Sequence, residues 1–306
     1  LGSWSELDLS MVNTEMLDLG PDFDIDLLGI KDFVIEPVEK FDPQSDEDAV
    51  PDVVHPITRK GDLWLLGNHR LLCGDSTMID DVEKLMNGEK MDLVHTDPPY
   101  GINEKCDREF ASSTRLAKGN KFHQIKNDDS TDCAIDAYNL CDSLGISRQV
   151  WWGANYYCHS LPQTNNWLVW DKRVEEKQKD ANSDCELAFV KSKWSSVRIF
   201  RHLWKGMIKA SEHGQARVHP TQKPIALIEW VIDYYKEDFK NVLDLFLGSG
   251  STLIACEKKD KKCFGMELDE KYCDVIIKRW EAYTGKKATL ELTNQTYEEL
   301  KAERDS

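Results

Sequence analysis

The chain has 306 residues, 41% of them hydrophobic; that is room for one large domain or two modest ones around a sizeable core, and it argues against global disorder. It contains no run of about 18 apolar residues, so no membrane span is expected, and LGSWSELDLS lacks a basic region followed by an apolar stretch, so it is no signal peptide. A formal net charge of −16 looks wrong for a nucleic-acid binder, but residues 1–56 hold 15 Asp and Glu against only Lys31 and Lys40, a balance of −13, which leaves −3 for the rest.

The first residue is Leu1 rather than Met, which suggests a fragment or a processed chain. Residues 1–56 read as an acidic arm and linker, with one short helix among the apolar clusters before the Pro- and acid-rich stretch 36–56. From Gly61 the composition changes. GDLWLLGNHRLLCGD predicts a hairpin of two short strands around Gly67-Asn68. Residues 91–96 predict a strand, and the polar stretch 102–130 a long loop. A helix is expected over 133–144, then strands at 149–152, 167–170 and 186–190. Residues 224–235 are amphipathic, with Pro224 at the first turn, where a helix tolerates it. A strand (242–246), a glycine loop, a helix (251–258), a strand (263–268) and a helix (270–284) complete the series. Such alternation predicts an α/β fold, a mostly parallel sheet covered on both faces. The nine cysteines form no C-x-x-C pair and no zinc spacing. They read as reduced, mostly buried thiols of an intracellular protein, and no metal site is expected.

Two segments carry chemistry. The first is Asp244-Leu245-Phe246-Leu247-Gly248-Ser249-Gly250-Ser251-Thr252, which follows an apolar strand and opens a helix. Glycine lets the backbone approach a ligand, and a helix start offers free N–H groups to a carboxylate or phosphate. Glu267, 19 positions after Gly248, and Leu268 end the next strand. A carboxylate there can accept hydrogen bonds from both ribose hydroxyls. Leu253 replaces the third glycine of a G-x-G-x-x-G loop, which disfavours NAD, and no catalytic His/Lys pattern of a nicotinamide oxidoreductase is present. A cofactor with a ribose and a carboxylate but no pyrophosphate, such as S-adenosylmethionine, fits better.

The second segment is Asp97-Pro98-Pro99-Tyr100, at the carboxyl end of an apolar strand, where open parallel sheets bind ligands. Prolines stiffen the turn and leave carbonyls as pure acceptors. Asp97 and the Pro98 carbonyl can each accept one N–H of an exocyclic base amine. That frees a lone pair, otherwise delocalised into the ring, for in-line attack on a methyl group. Tyr100 can stack on a base flipped from the duplex.

Asp97–Tyr100 followed much later by 244–252 resembles the β-class of amino-group DNA methyltransferases, in which the catalytic motif precedes the cofactor motif. The likeness runs from about Gly61 to Gly285. Leu71-Leu72-Cys73-Gly74-Asp75 resembles the family's early Gly-Asp segment, which implies that Asp75 contributes to the cofactor site. Trp151-Trp152-Gly153-Ala154-Asn155 and WLVWDKR (167–173) resemble its phage-like branch. His219-Pro220-Thr221-Gln222-Lys223-Pro224 resembles the segment before the helix that closes on the cofactor's methionine end, with Lys223 either pairing the cofactor carboxylate or capping that helix. The family often has Pro where Leu245 stands. The resemblance implies the Rossmann-like, doubly wound fold of class I S-adenosylmethionine-dependent methyltransferases, in circularly permuted motif order, with a small basic target-recognition insertion at about 174–218 and the catalytic domain spanning 57–306. It implies methylation of adenine N6 in DNA, because Asp opens the tetrapeptide in most adenine enzymes; cytosine N4 stays open, as do a DNA- or cofactor-binding role without catalysis and methylation of RNA. By analogy the partners are double-stranded DNA, a second copy of the chain and a restriction endonuclease, in bacterial or phage-encoded cytoplasmic work. DFDIDLLGI resembles the tail of a ParB-like domain often fused upstream.

Residues 191–217 carry Lys191, Lys193, Arg198, Arg201, Lys205, Lys209 and Arg217 against Glu212, interleaved with Trp194, Phe200 and Trp204. With Lys172 and Arg173 they read as a phosphate-contact and base-reading surface. The polar loop after Tyr100, with Lys105, Arg108, Arg115 and Lys118, reads as a cover for the DNA or the flipped base.

Overall fold

A computed structural model describes residues 55–101, 129–173, 183–193, 195–202, 204–205, 208–209, 223–235 and 239–304. The arm expected over 1–56 therefore lies outside the described residues except for its last two positions, as does the expected loop 102–130 except for its last two. The chain opens with β1 (Leu63–Leu66), β2 (His69–Cys73), α1 (Ile79–Met86), β3 (Leu93–Thr96), α2 (Asp132–Ser143), β4 (Gln149–Trp152), β5 (Trp167–Asp171), β6 (Cys185–Lys191) and β7 (Val197–Arg201). It continues with β8 (Trp204–Lys205), β9 (Ile208–Lys209), α3 (Ile225–Tyr234), β10 (Asn241–Asp244), α4 (Ser251–Lys258), β11 (Lys262–Glu267), α5 (Glu270–Thr284), β12 (Thr289–Leu290) and α6 (Tyr297–Arg304).

Ten strands form one sheet in the order β12-β1-β2-β11-β10-β3-β4-β6-β5-β7, and β8 and β9 form a separate ribbon. The central run from β2 to β4 is parallel. β6 lies antiparallel to both β4 and β5, so β5 again runs with β4, and β7 is parallel to β5. Alternate side chains supply two cores. Leu71, Leu93, Val150, Trp152, Val190 and Val242 pack with α3, α4 and α5, whereas Leu72, Val94, Trp151, Phe189 and Leu243 pack with α1 and α2. Helices thus cover both faces, which is the doubly wound α/β arrangement expected.

Two expected strand ends are corrected by side chains that stop the ladder. β10 ends at Asp244 rather than 246, because the Asp244 carboxylate accepts the Phe246 N–H at 3.1 Å and turns the chain. β11 ends at Glu267 because that carboxylate accepts Asp269 N–H at 2.9 Å. The stretch 174–218, expected as an insertion, is also corrected in part: β6, within it, is an inner strand and β7 the edge strand of the main sheet.

The ends of the described domain meet on α5. Buried Asp274 accepts Ile57 N–H at 2.5 Å, Thr58 N–H at 3.0 Å, the Thr58 hydroxyl, and the Tyr297 hydroxyl at 2.9 Å. Arg304 adds bonds to the Ile57 carbonyl and, at 2.8 Å, to Asp62. Asp274→Ala strands these buried donors, so a loss of roughly 3 kcal/mol or more is expected in urea unfolding. An unchanged midpoint would show that the clamp is dispensable.

Candidate active site

β3 and β10 are parallel neighbours whose connections leave in opposite directions, β3 to β4 and β10 to β11. A crevice opens outside their carboxyl ends, the position where such sheets bind ligands. The sequence places Asp97–Tyr100 just after β3 and the glycine loop just after β10, so the two segments lie side by side. Thr96 Oγ1 donates to Asp244 Oδ1 at 2.7 Å and joins them. A small cavity at the junction, about 50 Å³, is lined by His95, Asp97, Lys223, Asp244, Phe246, Leu247, Gly248, Ser249, Ser251 and Thr252.

On the glycine-loop side, Gly248 and Gly250 have φ of 56° and 88°, the left-handed region that favours glycine. Gly250 is the N-cap of α4 and offers no side chain to the first-turn N–H groups, which leaves them for an anionic ligand. Behind the loop, buried Arg279 of α5 donates to the Ser249 carbonyl at 2.9 Å and to the Ser249 and Ser251 hydroxyls at 3.2 and 3.3 Å. Periodicity alone had not singled out this arginine. Burial pushes the Asp244 carboxyl up to about 6 despite donors from Thr252, Thr96 and Phe246. Burial likewise lifts Glu267 to about 7, against the N–H groups of Asp269 and Gly248, the latter at 2.9 Å. The Glu267 oxygens accept backbone N–H groups, and a carboxylate's roughly four lone-pair sites leave room for a further donor.

On the tetrapeptide side, Lys223 is a buried ion-pair partner of Asp97 and Glu186. Its Nζ donates to Asp97 Oδ2 at 2.6 Å and to Glu186 Oε2 at 2.8 Å. Burial alone would push the Lys223 ammonium down, but Asp97 and Glu186 outweigh it and raise it, so the charge stays. Burial also pushes Glu186 up, yet Lys223 and Lys172 prevail and hold it at about 2. Asp97 is moved the other way: burial and the Glu186 charge raise its carboxyl against the pull of Lys223. Its Oδ1 is buried and has no hydrogen-bond partner among the described residues, a costly state for a carboxylate oxygen unless a ligand supplies the donor.

His95, one turn of pleat before Asp97, is neutral, since burial and the Lys223 charge push it down to about 3. Its Nε2 accepts from Trp152 Nε1 at 3.0 Å, which puts the proton on Nδ1, 3.3 Å from Thr252 Oγ1. Tyr100 stacks on Tyr156, ring centroids 4.8 Å apart and planes 9° from parallel. Gly153 has φ 67°, and a Cβ there would sit 2.4 Å from the Tyr100 ring. Tyr156, 48% exposed, and Glu186 are site residues that sequence reasoning missed.

Other expected residues fall elsewhere. Asp75 accepts from Thr77 N and Oγ1 at 3.0 and 2.7 Å and closes its own turn, away from the cavity lining. Lys172, expected on a DNA surface, pairs with Glu186 and lies over the Trp170 ring at 4.9 Å. Arg173 grips Asp171 through Nε at 2.9 Å and Nη2 at 3.2 Å. Arg198 and Arg201 are exposed on β7, and Lys193 is exposed just before it. Lys205 and Lys209 lie on the β8–β9 ribbon. Lys105, Arg108, Arg115 and Lys118 lie outside the described residues, as does His219.

A protein-family model described as DNA methylase, covering N6 and N4 methyltransferases, matches residues 148–279. The type II methyltransferase M2.DpnII of Streptococcus pneumoniae is 24% identical over 239 residues, 64% of this chain and 85% of that protein. The type II methyltransferase M.BglII of Bacillus subtilis is 24% identical over 243 residues, 63% of this chain and 68% of that one. Among solved structures, the cytosine-N4-specific PvuII DNA methyltransferase aligns with a TM-score of 0.46 and 14% identity, over 83% of this chain and 94% of that one. By these sequence matches residues 148–279 are similar to the N6 and N4 DNA methylases, and a larger part of the chain is similar to type II DNA methyltransferases. No helix among the described residues is long and apolar enough to cross a membrane.

Proposed function

We propose that this chain transfers a methyl group from S-adenosylmethionine to the N6 amine of an adenine flipped out of double-stranded DNA. The observation that carries the reading is Asp97 Oδ1, a buried acceptor with no donor among the described residues, next in the chain to Thr96, whose hydroxyl bonds to Asp244 at the start of the glycine loop. The donor set suits the cofactor. The uncapped start of α4 with Arg279 behind it suits a carboxylate, and the remaining lone pairs of Glu267 suit ribose hydroxyls. The cavity at the junction is small, about 50 Å³, room for little more than a water or two, so the backbone around Gly248 and the Glu267 carboxylate outside it would hold the nucleoside.

S-adenosylmethionine supplies an electrophilic methyl group on a sulfonium. Everything else falls to the protein. Asp97 and the Pro98 carbonyl accept the two N–H bonds of the amine and turn its lone pair toward that methyl group. Tyr100 provides a flat face for the base, and Gly153 makes room for that ring. Arg173 and Arg201, at the carboxyl ends of β5 and β7, stand on the same sheet edge as Asp97, where phosphates of the duplex can reach them; Arg198 and Lys193 stand toward the opposite edge, at and before the start of β7. Adenine is preferred because Asp opens the tetrapeptide. A homodimer, an endonuclease partner and an upstream ParB-like domain in a phage-like branch remain proposals that rest on the family resemblance.

The test is incubation of the full chain with tritiated methyl donor and mixed-sequence duplex DNA, followed by digestion to nucleosides. Label in N6-methyladenine is expected. Label confined to N4-methylcytosine moves the assignment to the sister reaction, and no label in any base ends the proposal. Gly153→Ala should displace Tyr100 and weaken binding of a flipped base by roughly 5- to 100-fold, the range of one lost stacking contact. Fluorescence of 2-aminopurine at the target position reads it, and an unchanged signal would remove Tyr100 from the role of platform.

A further inference from the structure

Asp97 stands at the end of a row of four alternating charges. Lys223 bridges Asp97 Oδ2 and Glu186 Oε2, and the other Glu186 oxygen takes Lys172 Nζ. Indoles wall the row: Lys223 Nζ lies 5.8 and 6.0 Å from the Trp152 and Trp170 rings. Topology assembles it. β3 and β5 run toward this edge and deliver Asp97 and Lys172 just past their ends, whereas antiparallel β6 starts here and delivers Glu186 as its second residue. Lys223 arrives immediately before Pro224 and α3. Buried ion pairs add little stability over apolar packing, so four charges beside the attacking amine call for another reason. Methyl transfer as described above uses only Asp97.

We propose that Glu186 is a positioning residue for methyl transfer: by sharing Lys223 with Asp97 it pins Oδ2, leaves Oδ1 as the acceptor for the target amine, and sets how readily that carboxyl takes the proton the amine gives up. The inference rests on the reading in the preceding section. In the step itself the C–N bond forms as the methyl–sulfur bond breaks, the electron pair of that bond staying with sulfur. The methylated nitrogen, now positive, gives one proton to Asp97 Oδ1, and the carboxyl then releases it to water.

The charges around Asp97 act in opposite senses. Lys223 and Lys172 disfavour a proton on it, and Glu186 favours one. Asp244 across the cavity also favours it; among the described residues, His95 lines the same cavity as a neutral imidazole, and burial together with the Asp97 charge holds the Tyr157 phenol neutral. Removing Glu186's charge must therefore make Asp97 a weaker proton acceptor, and removing Lys223's charge a stronger one.

The experiment measures single-turnover methylation by the full chain across about pH 5 to 9, the range that brackets such a group. Activity falls on the acid side as Asp97 takes up a proton. Glu186→Gln should move that acid limb to lower pH and Lys223→Met to higher pH, each by roughly 1–3 units, the usual effect of one adjacent charge. Lys223→Arg should leave it in place, and Glu186→Gln with Lys223→Met should fall between. A 13C carboxyl titration of Asp97 in the ligand-free chain reads the same shifts without turnover. If Lys223→Met fails to fold by circular dichroism, Glu186→Gln and Lys223→Arg decide alone. A uniform loss of rate with the limb unmoved, or both charge-removing variants moving it the same way, overturns the inference and leaves the proposed reaction standing. If the unmodified chain methylates nothing, the proposed reaction falls, and the carboxyl titration alone supports or overturns the role of Glu186.

Discussion

Asp97→Asn should reduce methyl transfer by at least about 10³-fold, the scale at which a misdirected polar group facing a reacting atom is felt. The substitution is nearly isosteric, so the fold should survive it. Its effect comes from what Lys223 forces on the amide. The ammonium has only donors and lies 2.6 Å from one oxygen of the native carboxylate. An asparagine must therefore turn its carbonyl to Lys223, which points its NH2 at the place where the substrate amine brings an N–H. Two donors then face each other, and the lone pair is no longer aimed. Cofactor affinity should change little, because the glycine loop and Glu267 are untouched. Single-turnover transfer of tritium to DNA and calorimetry with S-adenosylmethionine check the two halves separately. Retained transfer would remove Asp97 from its role, and a matching loss of cofactor affinity would make it a binding residue.

Glu267→Gln should weaken cofactor binding by roughly tenfold to a hundredfold, since hydrogen bonds to a charged group contribute about 1.5–3 kcal/mol each. The pH dependence gives the sharper test. Burial holds the Glu267 carboxyl at about 7, well above its ordinary range. Its ionised form accepts from backbone N–H groups and from ribose hydroxyls alike; protonated, it loses an acceptor site and gains a donor. Affinity should therefore be full above neutrality and decline as pH falls through about 7. In the glutamine variant the affinity should be low and flat across the same interval. Calorimetric titrations at a series of pH values would show this, and a native affinity indifferent to pH would mean that the ribose is held by something else.

How much of this was legible in the residues differs between backbone and charge. The helices Ser251–Lys258 and Glu270–Thr284 and the strand Gln149–Trp152 stand where periodicity put them, because one apolar face and a clear stop define such elements locally. The neighbourhood of the tetrapeptide and the glycine loop followed from each sitting at the carboxyl end of a strand. The partners of Asp97 did not. Glu186 and Lys172 look in sequence like members of a polar surface; the end of β5 carries Lys172, and the reversal of β6 between two strands of the other sense carries Glu186, to the edge where Asp97 stands. Arg279 was hidden for a related reason: in a helix pattern a lone arginine reads as solvent-facing, and it is the Ser249 carbonyl and hydroxyl that draw it inward. Asp75 shows another local effect that spacing does not reveal: its Oδ1 accepts from both the N–H and the hydroxyl of Thr77 two positions on.

The clamp on Asp274 bears on how the domain comes into being. It joins Ile57 and Thr58 to a residue more than 200 positions later, and Arg304 reaches back across 247. Closing so long a loop adds only slowly growing entropy at equilibrium, yet such distant contacts delay assembly. During synthesis the segment 57–58 must wait, part of its polar groups wet, until α6 has left the ribosome. Chains halted short of α6 should therefore hold a parallel centre with an unfinished margin, vulnerable to proteases at 57–62 until the final turn arrives.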